Sequence, residues 1–219
     1  MDVKNSTGRP TCQKLLIAAC EVFAENGFKN TTVREICTRA DVNVAAVNYH
    51  FGSKEKLYEA VWDYSNRMAV KNRMDEIELA RAAGPEERLR IFIRTLLYNI
   101  LNHDRPEWDF RIVAHEMIRP TGAFDQIVER MILPGFVFLR DLVRELLGES
   151  VSEEKIKRYS LSIVGQCLYY RFANPVVRQI FPEQSFNEKG IEELADHITR
   201  FSLSAFKQIR ADIEQEENI

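Results

Sequence analysis

The chain has little of what marks several classes of protein. Its 219 residues include four cysteines, Cys12, Cys20, Cys37 and Cys167, with no C-x-x-C pair among them. We expect these to be reduced thiols in mostly apolar helical positions, as in a reducing cytoplasm. No apolar segment is long enough to cross a membrane, and the polar N-terminus does not resemble a signal peptide. The sequence therefore predicts a cytoplasmic protein with no membrane contact.

Motifs of catalysis are also missing. There is no G-x-S-x-G elbow, P-loop or G-x-G-x-x-G, so acyl transfer and nucleotide chemistry have no visible machinery. His115-Glu116 begins like H-E-x-x-H, but position 119 is arginine and the zinc motif fails. A metal site made by His103, Asp104 and His115 is a weaker alternative. We predict no catalytic residue, no metal and no cofactor.

Charge excludes a protein that coats nucleic acid indiscriminately. The net charge is −3, yet residues 1–56 carry eight basic and six acidic side chains, a balance of +2 that leaves −5 for the rest. A weakly basic segment on an acidic body suits binding to phosphates at a few fixed points. The polar segment 1–9, with Lys4 and Arg9, is predicted to be a flexible leader, with a minor-groove arm as the alternative.

Hydrophobic periodicity predicts an all-α protein, because apolar residues recur at helical spacing and strand-like alternation is absent. We predict two helical domains: a domain of three helices at residues 10–56, then a larger domain at residues 57–215. The helix that begins near Lys54 is expected to be shared by both domains and so to act as a lever.

Residues 31–58, TTVREICTRADVNVAAVNYHFGSKEKLY, contain the most informative local signals. Thr32 and Glu35 have the T-x-x-E spacing of a capping box, which starts a helix at Thr32. After a turn near Asp41, Asn43 is placed to cap a second short helix from Val44 to His50. That helix carries small and hydrogen-bonding side chains, as expected of one that enters the DNA major groove. Ser53 then caps a third helix, whose N–H groups and lysine ammonium suit a phosphate.

These residues carry a resemblance: TTVREI followed by VNYHFGSKEKLY resembles the helix-turn-helix of TetR-family transcriptional regulators. The resemblance implies that the residues contacting phosphates are Thr32, Tyr49, His50 and Lys54. It implies that the residues facing bases are Arg34, Val44, Ala45, Ala46 and Asn48. Asn48 stands where many members of the family have tyrosine. The expected partner is double-stranded DNA with a pseudo-palindromic operator.

The body is predicted to be helical throughout, with helices at 86–102, 108–118, 124–147, 152–172 and 186–213. Pro134 should kink or divide the third of these helices, and Asn174-Pro175 should interrupt the chain before a short helix to Phe181. The segments EWDFRIVAHEMIRP, ILPGFVFLRDLVRELLG and GQCLYYRFANPVV resemble the C-terminal half of CecR-like regulators. That resemblance implies control of exporter or stress genes and a hydrophobic or aromatic effector.

Aromatic and polar residues mix in the body, which is the composition of small-molecule sites. The candidate ligand-binding residues are Trp108, Arg111, His115, Phe138, Gln166, Tyr169 and Tyr170. A plain apolar core is the alternative for each of the aromatic ones. The fourth and last long helices of the body are predicted to form a homodimer surface.

Two functions remain open from the sequence. The favoured one is a ligand-responsive repressor that binds DNA as a homodimer. The alternative is a helical small-molecule carrier or enzyme with a vestigial DNA-binding segment.

Overall fold

The structure is a computed structural model that describes residues 8–71, 83–101 and 106–217. The described residues are helical, as the periodicity predicted, and contain no strand. Residues 1–7 of the predicted leader lie outside the described residues. The chain divides into two compact units, the described residues of Met1–Val70 with Arg105–Met131 and those of Lys71–Asp104 with Ile132–Ile219.

The described part of the chain forms eleven α-helices and one π-helical turn. The helices are α1 (Gly8–Asn30), α2 (Val33–Ala40), α3 (Ala45–His50), α4 (Lys54–Lys71), α5 (Pro85–Leu101), α6 (Glu107–Ile118), α7 (Phe124–Ile127), α8 (Leu133–Leu147), α9 (Glu153–Phe172), α10 (Asn174–Ile180) and α11 (Glu188–Glu217).

The first unit is built on α1, which packs against α2, α3 and α6. Its core holds fully buried side chains from four of the helices, including Leu15, Phe23, Ile36, Val47 and Leu57. Apolar burial of this kind, rather than intrinsic helix propensity, stabilises short helices such as α2 and α3.

Gly27 breaks the regular backbone of α1. Its backbone has φ 70° and ψ 167°, a conformation open almost only to glycine, and one further helical turn runs to Asn30. The following Thr31 is buried and donates a hydrogen bond to the Gly27 carbonyl oxygen at 2.8 Å. The break and this bond set the direction in which the chain enters α2.

Helix α6 belongs to the first unit. Ile112 of α6 and Ile127 of α7 are buried in the same core as the first three helices. The domain boundary predicted at 56/57 stays a prediction, although α4 runs without a break from Lys54 to Lys71.

The second unit packs α5 against α8, α9 and α11. Its core includes Leu89, Ile93, Leu139, Ile163 and Ile198. Ion pairs join the outer faces of α5 and α11: Arg90 contacts Glu192 at 2.8 Å and Asp196 at 2.7 Å, and Arg94 contacts Glu192 at 3.1 Å. They are partly exposed, so burial contributes more to stability than these pairs do.

Local sequence signals predicted two features of the helices that follow α6. The helix predicted at 124–147 is divided, with a π-helical turn at Val128–Ile132 before α8, whose second residue is Pro134. Proline lacks the N–H that an uninterrupted helix needs there. Ser152 caps α9, and its hydroxyl accepts from the N–H of Lys155 at 3.4 Å. The bounds predicted for the last helix were wrong, because α11 begins at Glu188 and continues to Glu217.

The four cysteines are free thiols, and Cys20, Cys37 and Cys167 are buried. Burial raises the pKa of both Cys20 and Cys167 to about 12. None of the described helices is long and apolar enough to cross a membrane.

Candidate nucleic-acid interface

The capping box predicted at the start of α2 is present in full. The hydroxyl of Thr32 accepts from the N–H of Glu35 at 3.2 Å, and the Glu35 carboxylate accepts from the N–H of Thr32 at 2.7 Å. The Thr32 hydroxyl also donates to that carboxylate at 2.9 Å. The backbone bond, followed by the hydroxyl bond, lowers the pKa of the Glu35 carboxyl. Thr32 is exposed at the N-terminus of α2.

Two polar residues in the turn between α2 and α3 form the hydrogen bonds that end α2 and begin α3. Asp41 adopts the left-handed conformation, φ 54°, and its N–H bonds to the carbonyl oxygens of Cys37 and Thr38. The side-chain oxygen of Asn43 accepts from the N–H of Ala45 at 2.8 Å, as the sequence predicted for a capping residue. The helix begins at Ala45 rather than Val44, although Val44 already has helical angles.

Helix α3 buries one face and exposes the other. Val47 is fully buried against the core, whereas Tyr49 is 84% exposed and Val44 46% exposed. Ala45 and Asn48 are exposed as well, while Ala46 and His50 are half-buried. The structure therefore gathers the residues predicted to meet bases, including the exposed Arg34 of α2, on two neighbouring helices.

Lys54 has an intramolecular role that the sequence did not predict. Its ammonium donates to the carbonyl oxygens of Phe28 and Thr31, both at 2.7 Å, and lies 4.3 Å from the centre of the Phe28 ring. The lysine thus satisfies carbonyls where α1 ends. Its neighbour Ser53 caps α4 as predicted, accepting from the N–H of Lys56 at 3.2 Å.

Not every cation of this unit is available to DNA. Arg39 makes two parallel hydrogen bonds to the Glu25 carboxylate, at 2.6 and 2.8 Å. This bidentate pair lowers the pKa of Glu25. Arg39 therefore ties α2 to α1.

A buried polar contact joins α4 to α6. Tyr58 donates to the Glu116 carboxylate at 2.7 Å, and each of these side chains is 2% exposed. Burial and, after it, the bond to Glu116 raise the pKa of Tyr58. The sequence did not predict this pairing, because Glu116 stands there in an incomplete zinc motif and Tyr58 at the end of the helix-turn-helix segment.

The candidate ligand residues separate into two groups. Trp108, Arg111 and His115 lie on α6 in the first unit. Trp108 stacks on Tyr64 with ring centres 6.0 Å apart, and Arg111 is exposed and pairs with Glu107 at 3.0 Å. His115 places Nε2 3.1 Å from the carbonyl oxygen of Ala24. These contacts give each of the three a structural role.

The other four lie in the second unit. Phe138 stacks on Phe92, with ring centres 6.0 Å apart. Gln166, Tyr169 and Tyr170 line one open groove of about 350 Å³ between α9 and α11, together with Gly165, His197 and Ile198. His197 lies on α11, so the helical spacing of the α9 residues could not predict that it lines the groove. A ligand role for any of these residues stays a prediction.

For the metal alternative, His103 and Asp104 lie outside the described residues. Within the described ranges, no group of three or more His, Cys, Asp or Glu side chains is placed to hold a metal ion.

Family models match both halves of the chain. Residues 15–61 match the model for bacterial regulatory proteins of the tetR family, and residues 85–206 match the C-terminal domain of the HTH-type transcriptional dual regulator CecR. The chain belongs to the TetR family of transcriptional regulators.

This TetR-family regulator is similar to the HTH-type transcriptional dual regulator CecR of Shigella flexneri. The two are 26% identical over 200 residues, which cover 88% of this chain and 89% of that protein. The relatives found are themselves transcriptional regulators.

Solved structures share the fold. HlyIIR, a hemolysin II transcriptional regulator, is 20% identical with a TM-score of 0.60, covering 88% of this chain and 98% of its own. AibR, solved with isovaleryl coenzyme A and operator DNA, is 18% identical with a TM-score of 0.60, covering 86% and 96%. At these identities the likeness supports the fold alone.

Proposed function

We propose that this regulator is a ligand-responsive repressor that binds a pseudo-palindromic operator as a homodimer in the cytoplasm. One observation carries the DNA-binding part. Helix α3 is anchored by the fully buried Val47 and presents Val44, Ala45, Asn48 and Tyr49 to solvent. A short helix with small and hydrogen-bonding side chains on its free face fits the major groove.

The contacts divide into two classes. Thr32, Tyr49, His50 and Lys54 hold phosphates, which fix the position of the protein but carry no sequence information. The residues that read bases are Arg34, Val44, Ala45, Ala46 and Asn48. Asn48 is the strongest candidate for direct reading, since an amide pairs well with adenine.

A homodimer is supported by an exposed apolar face in the second unit. On α9, Leu161, Tyr169 and Phe172 are 58%, 58% and 51% exposed, and on α11 Phe201 is 60% exposed. Their spacing on α9, with Gly165 between them, places them on one helix face. Two copies of such a face form a self-complementary two-fold contact. Two recognition helices about 34–36 Å apart would then read successive major grooves.

The effector is proposed to be a hydrophobic or aromatic small molecule. The groove between α9 and α11 offers the rings of Tyr169 and Tyr170 and the amide of Gln166, a combination of apolar surface with few polar groups. Because AibR was solved with both isovaleryl coenzyme A and operator DNA, one TetR-like fold serves both kinds of partner. We expect the target genes to encode exporters or stress proteins.

A ligand of this kind would favour a spacing of the two recognition helices that does not fit DNA. Such coupling requires the ligand to bind the two conformations with different affinity. Compounds that bind tightly and leave operator affinity unchanged would contradict the induction mechanism.

Fluorescence anisotropy tests the DNA-binding proposal directly. Purified protein is titrated against labelled DNA from upstream of its own gene, at near-physiological salt and with scrambled competitor. We expect competitor-resistant binding of one dimer per site. If upstream and genome-wide fragments alike give only weak, salt-sensitive binding, the carrier or enzyme alternative gains support.

Sedimentation velocity tests the dimer. Phe201→Asp places a charge in the proposed contact and should give monomers with weak operator binding. Ile118→Asp is the matched control, because Ile118 is 75% exposed on α6 and belongs to the first unit. A Phe201→Asp protein that remains dimeric would locate the interface elsewhere.

A further inference from the structure

Glu116 is a buried carboxylate whose hydrogen bonds are all provided by donors of the first unit. Its side chain is 2% exposed. Oε1 accepts from the Tyr58 hydroxyl at 2.7 Å and from the Thr121 hydroxyl at 2.9 Å, and Oε2 accepts from the Thr121 N–H at 2.9 Å. Within the described ranges, no Arg, Lys or His side chain forms an ion pair with it.

The site supplies the donors that a buried carboxyl group needs. Burying a polar group is costly unless hydrogen bonds replace its hydration, and three donors do so here. Because the Tyr58 and Thr121 hydroxyls can accept as well as donate, a glutamine amide could keep these contacts, whereas a leucine side chain of similar size could keep none of them.

Tyr58 connects Glu116 to the end of α1, which the chain leaves to enter α2. The Tyr58 ring packs against Phe23 and Phe28, with ring centres 4.7 and 4.8 Å away. Lys54, one turn earlier on α4, bonds to the carbonyl oxygens of Phe28 and Thr31. Thr31 immediately precedes the cap of α2. Lys54 and Tyr58, one turn apart on α4, thus contact the end of α1 and the α1–α2 junction. Glu116 accepts the hydrogen bond that fixes the Tyr58 hydroxyl.

The neighbouring residue of α6 contacts α1 at the same junction. His115 approaches the Ala24 carbonyl oxygen with Nε2, and since a carbonyl can only accept, this nitrogen carries the proton. A Cβ added to Gly27 would lie 3.2 Å from Nδ1 of His115. His115 and Glu116, which are consecutive on α6, therefore contact α1 and α4 respectively.

We propose that Glu116 is a positioning residue for DNA reading, which fixes the α1–α2 junction through Tyr58 and makes α6 a structural part of the DNA-binding unit. The DNA readouts of this inference rest on the proposed function, whereas its effect on α2 and α3 does not.

The test uses the full-length chain with Glu116→Leu, Tyr58→Phe and the double variant. Tyr64→Phe is the matched control, a tyrosine of the same helix whose ring is also partly buried in this core. Glu59→Gln controls for the charge, since Glu59 is exposed on α4. Both tryptophans, Trp62 and Trp108, lie in the first unit, so their emission confirms that it is folded at the assay temperature.

Hydrogen exchange without DNA gives the first readout. We expect amides of residues 28–50 to exchange about tenfold faster in Glu116→Leu and Tyr58→Phe, because the buried hydrogen bond between these two side chains is lost. Exchange in α9 should not change, and neither control should alter either segment. Unchanged exchange at 28–50 in folded protein would overturn the proposal, whether or not the chain binds DNA.

DNA binding of the folded variants gives the second readout. We expect operator affinity to fall about tenfold with the salt slope unchanged, because no phosphate contact is removed. Preference for the native half-site spacing over a spacing longer by one base pair should shrink. The double variant should lose little more than either single variant. A lower melting temperature with unchanged affinity and spacing preference would reduce Glu116 to a stabilising role and contradict the proposal.

Discussion

The ammonium group of Lys54 donates a hydrogen bond to the carbonyl oxygen of Thr31, 2.7 Å away, across the junction between α1 and α2. The same group bonds to the Phe28 carbonyl oxygen and lies over the Phe28 ring. The residue proposed to hold a phosphate therefore also joins α4 to the end of α1 and to the α1–α2 junction. Its two roles leave different experimental signatures.

Lys54→Ala is expected to weaken binding to all DNA and to lower the melting temperature. Loss of the phosphate contact should reduce the slope of log K against log salt by about 0.9 for each half-site. Loss of the two carbonyl bonds should destabilise the first unit by about 1–3 kcal/mol. Anisotropy at several salt concentrations and thermal unfolding measure the two effects separately.

Lys56→Ala is the control, because Lys56 is exposed on the same helical turn. A lower melting temperature with an unchanged slope would assign Lys54 to the fold alone. A smaller salt slope with an unchanged melting temperature would assign Lys54 to the phosphate contact alone.

Asn48→Ala is expected to relax sequence preference at one or two base pairs. A good side-chain to base-edge pair discriminates by about 1–3 kcal/mol, and alanine cannot form one. Binding to a randomised operator library measures the preference, while the salt slope should remain that of the parent protein. If Asn48→Ala and Lys54→Ala change binding in the same way, the proposed division between base and phosphate contacts is wrong.

Gly27→Ala is expected to destabilise the first unit by about 1–3 kcal/mol, since φ 70° with ψ 167° strains any residue that has a Cβ. The added methyl would also press on the His115 ring at 3.2 Å. Urea unfolding followed by tryptophan emission measures the loss. Gly122→Ala, in the same unit and with open space at its Cβ position, should be nearly neutral. Equal stability of the two variants would contradict the conformational argument.

The capping box predicts a specific dependence on acid. The bonds from Thr32 hold the pKa of Glu35 below its usual value of 4.5. A lowered carboxyl pKa means that its stabilisation is complete above about 4.5 and is lost as the pH falls through the folded-state value. Wild type should therefore lose more stability than Glu35→Gln between about pH 5 and pH 3.

Denaturant unfolding at stepped pH measures this difference. Glu149→Gln, at an exposed turn position, is the control and should follow wild type. Parallel stability curves for wild type and Glu35→Gln would show that ionisation of Glu35 adds nothing to the capping box.

Much of the fold follows from signals that act over a few residues. The Thr32–Glu35 box, the caps at Asn43 and Ser53 and the division before Pro134 each involve atoms within about one helical turn, so the sequence is sufficient to place them. Helix ends without such a signal were less predictable. Helix α11 extends to Glu217 because an acidic segment does not by itself stop a helix.

Part of the candidate site could likewise be predicted from the sequence. The exposed face of α3 follows from helical spacing, with Val47 inside and Asn48 outside. The groove between α9 and α11 did not follow, because His197 and Tyr169 come from helices far apart in sequence.

The sequence by itself determined the all-helical class, the helix-turn-helix and the family, because periodicity, capping and turn residues are properties of short segments. Only the tertiary structure decided that Lys54 binds carbonyls 23 and 26 residues away, and that Glu116 accepts from Tyr58 across 58 residues. It also placed α6 in the first unit. Such pairings depend on how buried faces pack, and the core must form before these partners lie within hydrogen-bond distance.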